Sequence, residues 1–162
     1  MHANCFTTYR FALGLLEQQV DGLSDAQLRA PIAPGHHTGL WVLGHLVIAA
    51  NIGLKRLGAP HSLPDDRMAA FGPGSAPDAP VPPGVSKESL LAELLATPDL
   101  LEAAARSAGE AYLDEPHGAP WLAGTPLKTR RDSIGQLFSY HVGYHIGQLS
   151  VYRRAAGLPA LF

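Results

Sequence analysis

SYHVGYHIGQLSVYRR, residues 139–154, places two histidines four residues apart inside a run with helical periodicity. At about 100° per residue, His141 and His145 lie about 40° apart on the helix surface. Ile134, Phe138, Leu149 and Tyr152 cluster around them, so the pair sits at the centre of the apolar stripe of a helix over 132–156. That helix opens with Ser133-Ile134-Gly135-Gln136, which fits a capping box, and closes at Gly157 with Pro159 behind it. At about 1.5 Å per residue it is on the order of 37 Å long.

An unpaired polar group on a dry face costs roughly 1–3 kcal/mol, and a protonated one costs more. Side chains at i and i+4 project the same way with Cβ atoms about 6 Å apart, so two imidazoles can share one metal ion. A divalent cation would resolve both the cost and the geometry. Two ligands rarely hold a metal, and the third candidate is His45, the only ionisable group between Leu40 and Lys55 in a nearly continuous apolar helix over 38–57. Three histidines leave coordination positions open, as catalytic sites require, whereas structural zinc sites usually close with four protein ligands. Core histidines can also be satisfied by carbonyls or by one another. The buried His45 tips the reading to metal.

Two further helices complete the pattern. Residues 4–20 space Phe6, Tyr9, Leu13, Leu16 and Val20 at three- and four-residue intervals. Residues 87–107 follow Ser86 as N-cap, with Pro98 expected to kink or break the helix. The helix over 38–57 ends at Gly58 with Pro60 behind. No alternating strand is evident. The segment 58–85, rich in Pro, Gly and Ala, has no period; a connection of that length crosses a bundle and leaves helices two and three parallel. The expected architecture is therefore an all-α four-helix bundle in one domain, 1–162, with a long crossover between helices two and three. LSDAQLRAP (23–31) and AGEAYLDEP (108–116) each lead towards a long histidine-bearing helix, a faint echo of duplicated helix pairs.

Bulk properties narrow the function. Apolar residues make up 46% and charged residues 16%, which marks a globular chain. A formal net charge of −2, with no block of like charge, gives no footprint for nucleic acid or an anionic membrane. One cysteine, Cys5, precludes an intramolecular disulfide and reads as a small hydrophobe. The N-terminal stretch lacks signal-peptide features, and LWVLGHLVIAANIGL (40–54) is too short to span a bilayer and is interrupted by His45 and Asn51. A cytoplasmic location is expected.

Other polar residues carry weaker readings. Gln148 and Tyr152 share the histidine face and are candidate contacts around the ligands or in a substrate pocket, with core packing as the plain alternative. His36 and His37 read as exposed loop residues within reach of a pocket mouth; His2, His61 and His117 read as solvated. Asp114 and Glu115 are adjacent acids of the kind usually found solvated in a loop. Gly143 and Gly147 form a small-residue stripe suited to close helix packing or a dimer contact.

TGLWVLGHLVIAANIGLKRLG (38–58) and HVGYHIGQLSVYRRAAGLP (141–159), with the LSDAQL and EAYLDEP linkers, resemble the DinB/YfiT-like superfamily of metalloenzymes over nearly the whole chain. The resemblance implies a four-helix bundle in up-down-down-up order, commonly a homodimer. It implies a divalent metal, usually nickel or zinc, on His45, His141 and His145. Relatives of this kind include transferases and isomerases that use a low-molecular-weight thiol such as bacillithiol or mycothiol. The mycothiol-dependent isomerase branch has Glu at the first position of the helix-four pair, where this chain has His141. The family name does not imply DNA binding. The expected activity is therefore metal-dependent transfer of a thiol to a small-molecule substrate. The alternatives are metal-dependent hydrolysis of an amide or ester, or a non-catalytic, metal- or ligand-binding homodimer.

Overall fold

The computed structural model describes residues 3–161 and is all-helical; among the described residues no strand forms, and the one β-type contact is an isolated bridge between Pro116 and Thr129. His2 lies outside the described residues. Helix α1 spans Ala3–Val20 and buries Phe6, Tyr9, Leu13, Leu16 and Val20, the stripe its spacing predicts. A short α2, Asp25–Arg29, follows, capped by Ser24 with Gln27 returning the capping box. Helix α3, Gly39–Arg56, starts at Thr38, whose hydroxyl accepts from the Trp41 N–H. Every residue from Gly39 to Ala50 is buried, because α3 packs against α2, α4, α5, α6 and the C-terminal helix. It stops as expected at Gly58, whose φ of 70° is in the left-handed region.

The 58–85 connection is not structureless. It contains α4, Asp65–Phe71, with Asp65 and Asp66 at its positive N-terminal end. The ring of Phe71 lies flat on Gly44 of α3, where a Cβ would stand 2.5 Å from Phe71 Cγ. The expected third helix is two: α5, Lys87–Leu95, capped by Ser86, and α6, Thr97–Leu113, with Pro98 in its first turn where no N–H is needed. Within α6, Gly109 takes φ 77° and bends the chain, so the EAYLDEP echo of α2 is a short helical turn set off from the rest of its helix.

The C-terminal helix begins earlier than the sequence suggests. Thr129 and Asp132 form the capping box, and α7 runs Arg130–Gln136. Ser133, read as the cap, is instead fully buried and takes a hydrogen bond from Arg56. A π turn, Leu137–His141, joins α7 to α8, Val142–Ala155, without a break. Contacts tie these elements along their lengths. The rings of Tyr9 and Phe138 lie 4.7 Å apart, and Arg153 donates to the carbonyls of Gln18 and Asp21. Gly39 lies against Tyr152 and Gly53 against Phe138 and Leu101. Lys87 bonds Asp25 and Leu23, while Thr97 meets the Tyr9 hydroxyl at 2.9 Å. No described helix is long and apolar enough to cross a membrane.

Candidate metal centre

His45 is delivered from the middle of α3, His141 from the last residue of the π turn and His145 from the first turn of α8. Their ligand atoms lie within 4.8 Å of one another, a group able to hold a divalent metal. The Nε2 atoms of His45 and His145 each stand 3.2 Å from Nε2 of His141. Two imidazoles bound at about 2.05 Å and spread by a tetrahedral angle would be separated by roughly 3.3 Å, so the donor set fits such an ion.

Protonation follows from the outer contacts. His45 Nδ1 lies 2.8 Å from the Phe71 carbonyl, which can only accept, so Nδ1 carries the proton and Nε2 presents a bare lone pair. His145 Nδ1 likewise donates to Gln148 Oε1 at 2.7 Å. Nδ1 of His141 is buried without a partner, so no acceptor fixes its tautomer and its Nε2 is free to present a lone pair inward as well. Burial, then the charges of His145 and His45, push the His141 pKa down to about 3; burial, then His45, push His145 down to about 4. Burial lowers His45 too. All three are neutral at neutral pH, the state a metal requires.

Around this group the structure adds parts that the sequence reading did not find. His37, Trp41 and His45 stack at four-residue intervals, with ring centroids 3.7 and 4.5 Å apart. Trp41 is held by its indole N–H on Ser75 Oγ at 2.8 Å. His37 is thus half-buried under the stack and not an exposed loop residue, whereas His36 is exposed. The i, i+4, i+8 spacing ending on His45 was the available signal. The Phe71 carbonyl left none, since it is a backbone group from a helix with too few turns to show a period.

The remaining candidates separate cleanly. Gln148 bonds His145 through its side-chain oxygen. Tyr152 is buried, but its hydroxyl donates to the His37 carbonyl and it lines a separate hollow of about 400 Å³ with Gln148 and His37. His61 is exposed. His117 is not solvated: Nδ1 accepts from the Ala119 N–H at 2.8 Å and Nε2 donates to the Leu127 carbonyl at 3.2 Å, stapling the loop. Asp114 and Glu115 pair with Arg131 and Arg130 at the surface. Burial raises the Cys5 pKa, which makes it a poor nucleophile. Gly143 and Gly147 are exposed, and among the described residues nothing packs within 4 Å of where their Cβ would stand.

A cavity of about 340 Å³ opens beside His45 and His141 and is walled by Ala49, Ile52, Leu137 and Gln136, with Arg56 and Trp121 further along. A larger hollow of about 530 Å³ is lined by Trp41 and Phe71 but by none of the three histidines, so the smaller one adjoins the histidine group. The family model described as the DinB superfamily matches residues 8–149, an interval holding all three histidines and Gln148. No curated protein matches the chain.

Proposed function

Because this chain belongs to the DinB superfamily, we propose that it is a metal-dependent enzyme in which His45, His141 and His145 hold a divalent cation, nickel or zinc, with positions left open to the adjoining cavity. The observation that carries the reading is the convergence of three Nε2 atoms, two of them with their lone pairs aimed inward by the Phe71 carbonyl and Gln148. Such an ion would supply Lewis acidity, drawing the pKa of a coordinated thiol towards neutral. The protein's own part is to keep three imidazoles neutral, fix the orientation of His45 and His145 and cover His45 with the Trp41 plate. We assign the reaction to transfer of a low-molecular-weight thiol, of the bacillithiol kind, to a small electrophile. The described lining of the cavity has no carboxylate to serve as a general base, which favours thiol transfer over hydrolysis.

We further infer a four-helix bundle in up-down-down-up order. Tyr9 meets Phe138 while Gln18 meets Arg153, so α1 and the C-terminal helix run together. Gly39 meets Tyr152 while Gly53 meets Phe138, so α3 runs against it. The α5–α6 pair runs against α1, from Lys87 at Leu23 to Thr97 at Tyr9. A cytoplasmic homodimer is the assembly this reading expects. The test is metal analysis of the native protein, then a screen of low-molecular-weight thiols for binding. About one nickel or zinc per chain, lost on chelation and accompanied by thiol binding only when metal is present, is expected. Protein free of metal and unable to take it up refutes the reading.

A further inference from the structure

One charged group faces the cavity beside the histidines. The α3 positions His45, Ala49, Ile52 and Arg56 recur at intervals of four, three and four, so they form one wall with the histidine at one end and a guanidinium at the other. Several other arginines are satisfied by carboxylates at the surface: Arg10 by Asp99 and Glu102, Arg67 by Glu93, Arg131 by Glu110 and Asp114. Arg56 has no carboxylate partner among the described residues. One terminal nitrogen donates to Ser133; the other, Nη2, is shut off from solvent and has no partner; the face of the guanidinium lies 4.8 Å from the Trp121 ring centroid. Burial lowers its pKa, so the cation is held at an electrostatic disadvantage with no counter-charge.

We propose that Arg56 is the anion anchor of this cavity, binding the carboxylate of a small-molecule ligand whose other end reaches the three histidines. The proposal rests on the reading of those histidines as the metal-binding end. Neutral imidazoles leave the full charge of a bound divalent ion uncompensated, and Arg56 adds to it, so the cavity selects anions. A single guanidinium with no second cation in the lining suits a singly charged carboxylate better than a doubly charged phosphate. The length of the ligand also follows. Eleven residues of helix rise roughly 16 Å; less the bonds to a metal at one end and the hydrogen bond to the guanidinium at the other, roughly 10 Å is left for the ligand itself. Trp121, largely exposed and lying on Arg56, covers that end.

A bifunctional probe of that length tests the assignment. On cobalt-loaded protein, ω-mercapto-octanoate should bind about tenfold more tightly than ω-mercapto-octanol, with a thiolate-to-cobalt charge-transfer band reporting the thiol end for both. Arg56→Met should cut the preference to less than about twofold while leaving the band, and Arg56→Lys, which keeps the charge without the fork, should retain about threefold. A preference that survives Arg56→Met overturns the proposal. Octanoate on chelated protein separates the two readings: tighter binding to wild type than to Arg56→Met supports the anchor whether or not cobalt is taken up. A missing charge-transfer band with that discrimination intact refutes the metal reading alone; loss of the discrimination refutes the anchor.

Discussion

Gly44→Ala should weaken metal binding although residue 44 supplies no ligand atom. The new Cβ would stand 2.5–2.7 Å from Cγ, Cδ1 and Cδ2 of Phe71, at the root of the ring, where rotation cannot relieve it. Phe71 and the end of α4 must therefore retreat by about 1 Å to reach ordinary contact. The Phe71 carbonyl, now 2.8 Å from His45 Nδ1, retreats with them and leaves hydrogen-bond range. Overpacking should destabilise the metal-free fold by about 1–3 kcal/mol, and loss of the outer acceptor should weaken metal affinity about 10–100-fold. Gly39→Ala is the control: its Cβ would meet Leu28 Cδ2 at 2.6 Å, at the other side of α3's first turns and on the far end of a flexible side chain. The assay is competition with a chromophoric chelator alongside denaturant melts for both variants. Gly39→Ala should lose stability alone. If Gly44→Ala is destabilised yet binds metal within about twofold of wild type, the Phe71 carbonyl does not orient His45 and the reasoning fails.

His141→Ala and His145→Ala should each abolish most bound metal, while His117→Ala should keep it and lose about 1–3 kcal/mol of stability by freeing the Ala119 N–H and Leu127 carbonyl; metal analysis with melts decides, and unchanged metal in the first two sinks the site. Metal-free protein should lose stability as pH falls below about 6.5: the folded pKa values of His45, His141 and His145 are depressed, so the unfolded chain binds more protons there. His141 and His145 each contribute about 1.4 kcal/mol between about pH 7.5 and 5.5, near 3 kcal/mol together, with His45 acting in the same direction, and a flat denaturation profile across that window would contradict the burial of these rings. Tyr152→Phe should cost about 1 kcal/mol by freeing the His37 carbonyl, with metal content unchanged; metal loss would place Tyr152 among the groups that support the ligands.

The three histidines were legible because an imidazole in an apolar stripe is costly wherever the helix packs, and His45 and His145 are indeed buried. The glycine stops at 58 and 157 were legible because left-handed backbone favours one residue type. The start of the last helix was not. Its capping box uses Asp132 where Glu or Gln is the usual partner, and Ser133 with Gln136 imitates that pattern four residues on. Only the fold reveals that Ser133 is occupied by Arg56. In the same way Trp121 and Arg56 are 65 residues apart and carry no common motif, so their contact had no local signature.

The π turn explains why a simple helical wheel came close to the site without describing it. A wheel drawn at 100° per residue puts Ile134, Phe138, His141 and His145 on one stripe, as though one neighbour covered them all. One extra residue in the turn Leu137–His141 sets α8 back by about 100° relative to α7. Phe138 can then lie against both Tyr9 of α1 and Gly53 of α3, while His145, Leu149 and Tyr152 turn together into the core beside the first turns of α3. The ladder is disturbed where its register changes, and there the Ser139 hydroxyl donates to the Gly135 carbonyl. His141 sits at the end of this turn, half-exposed at the cavity, while His145, one turn on, is buried on Gln148. The same irregularity that separates the packing duties of the two helix halves therefore gives the paired histidines different environments: one opens to the cavity, and the other is fixed behind it.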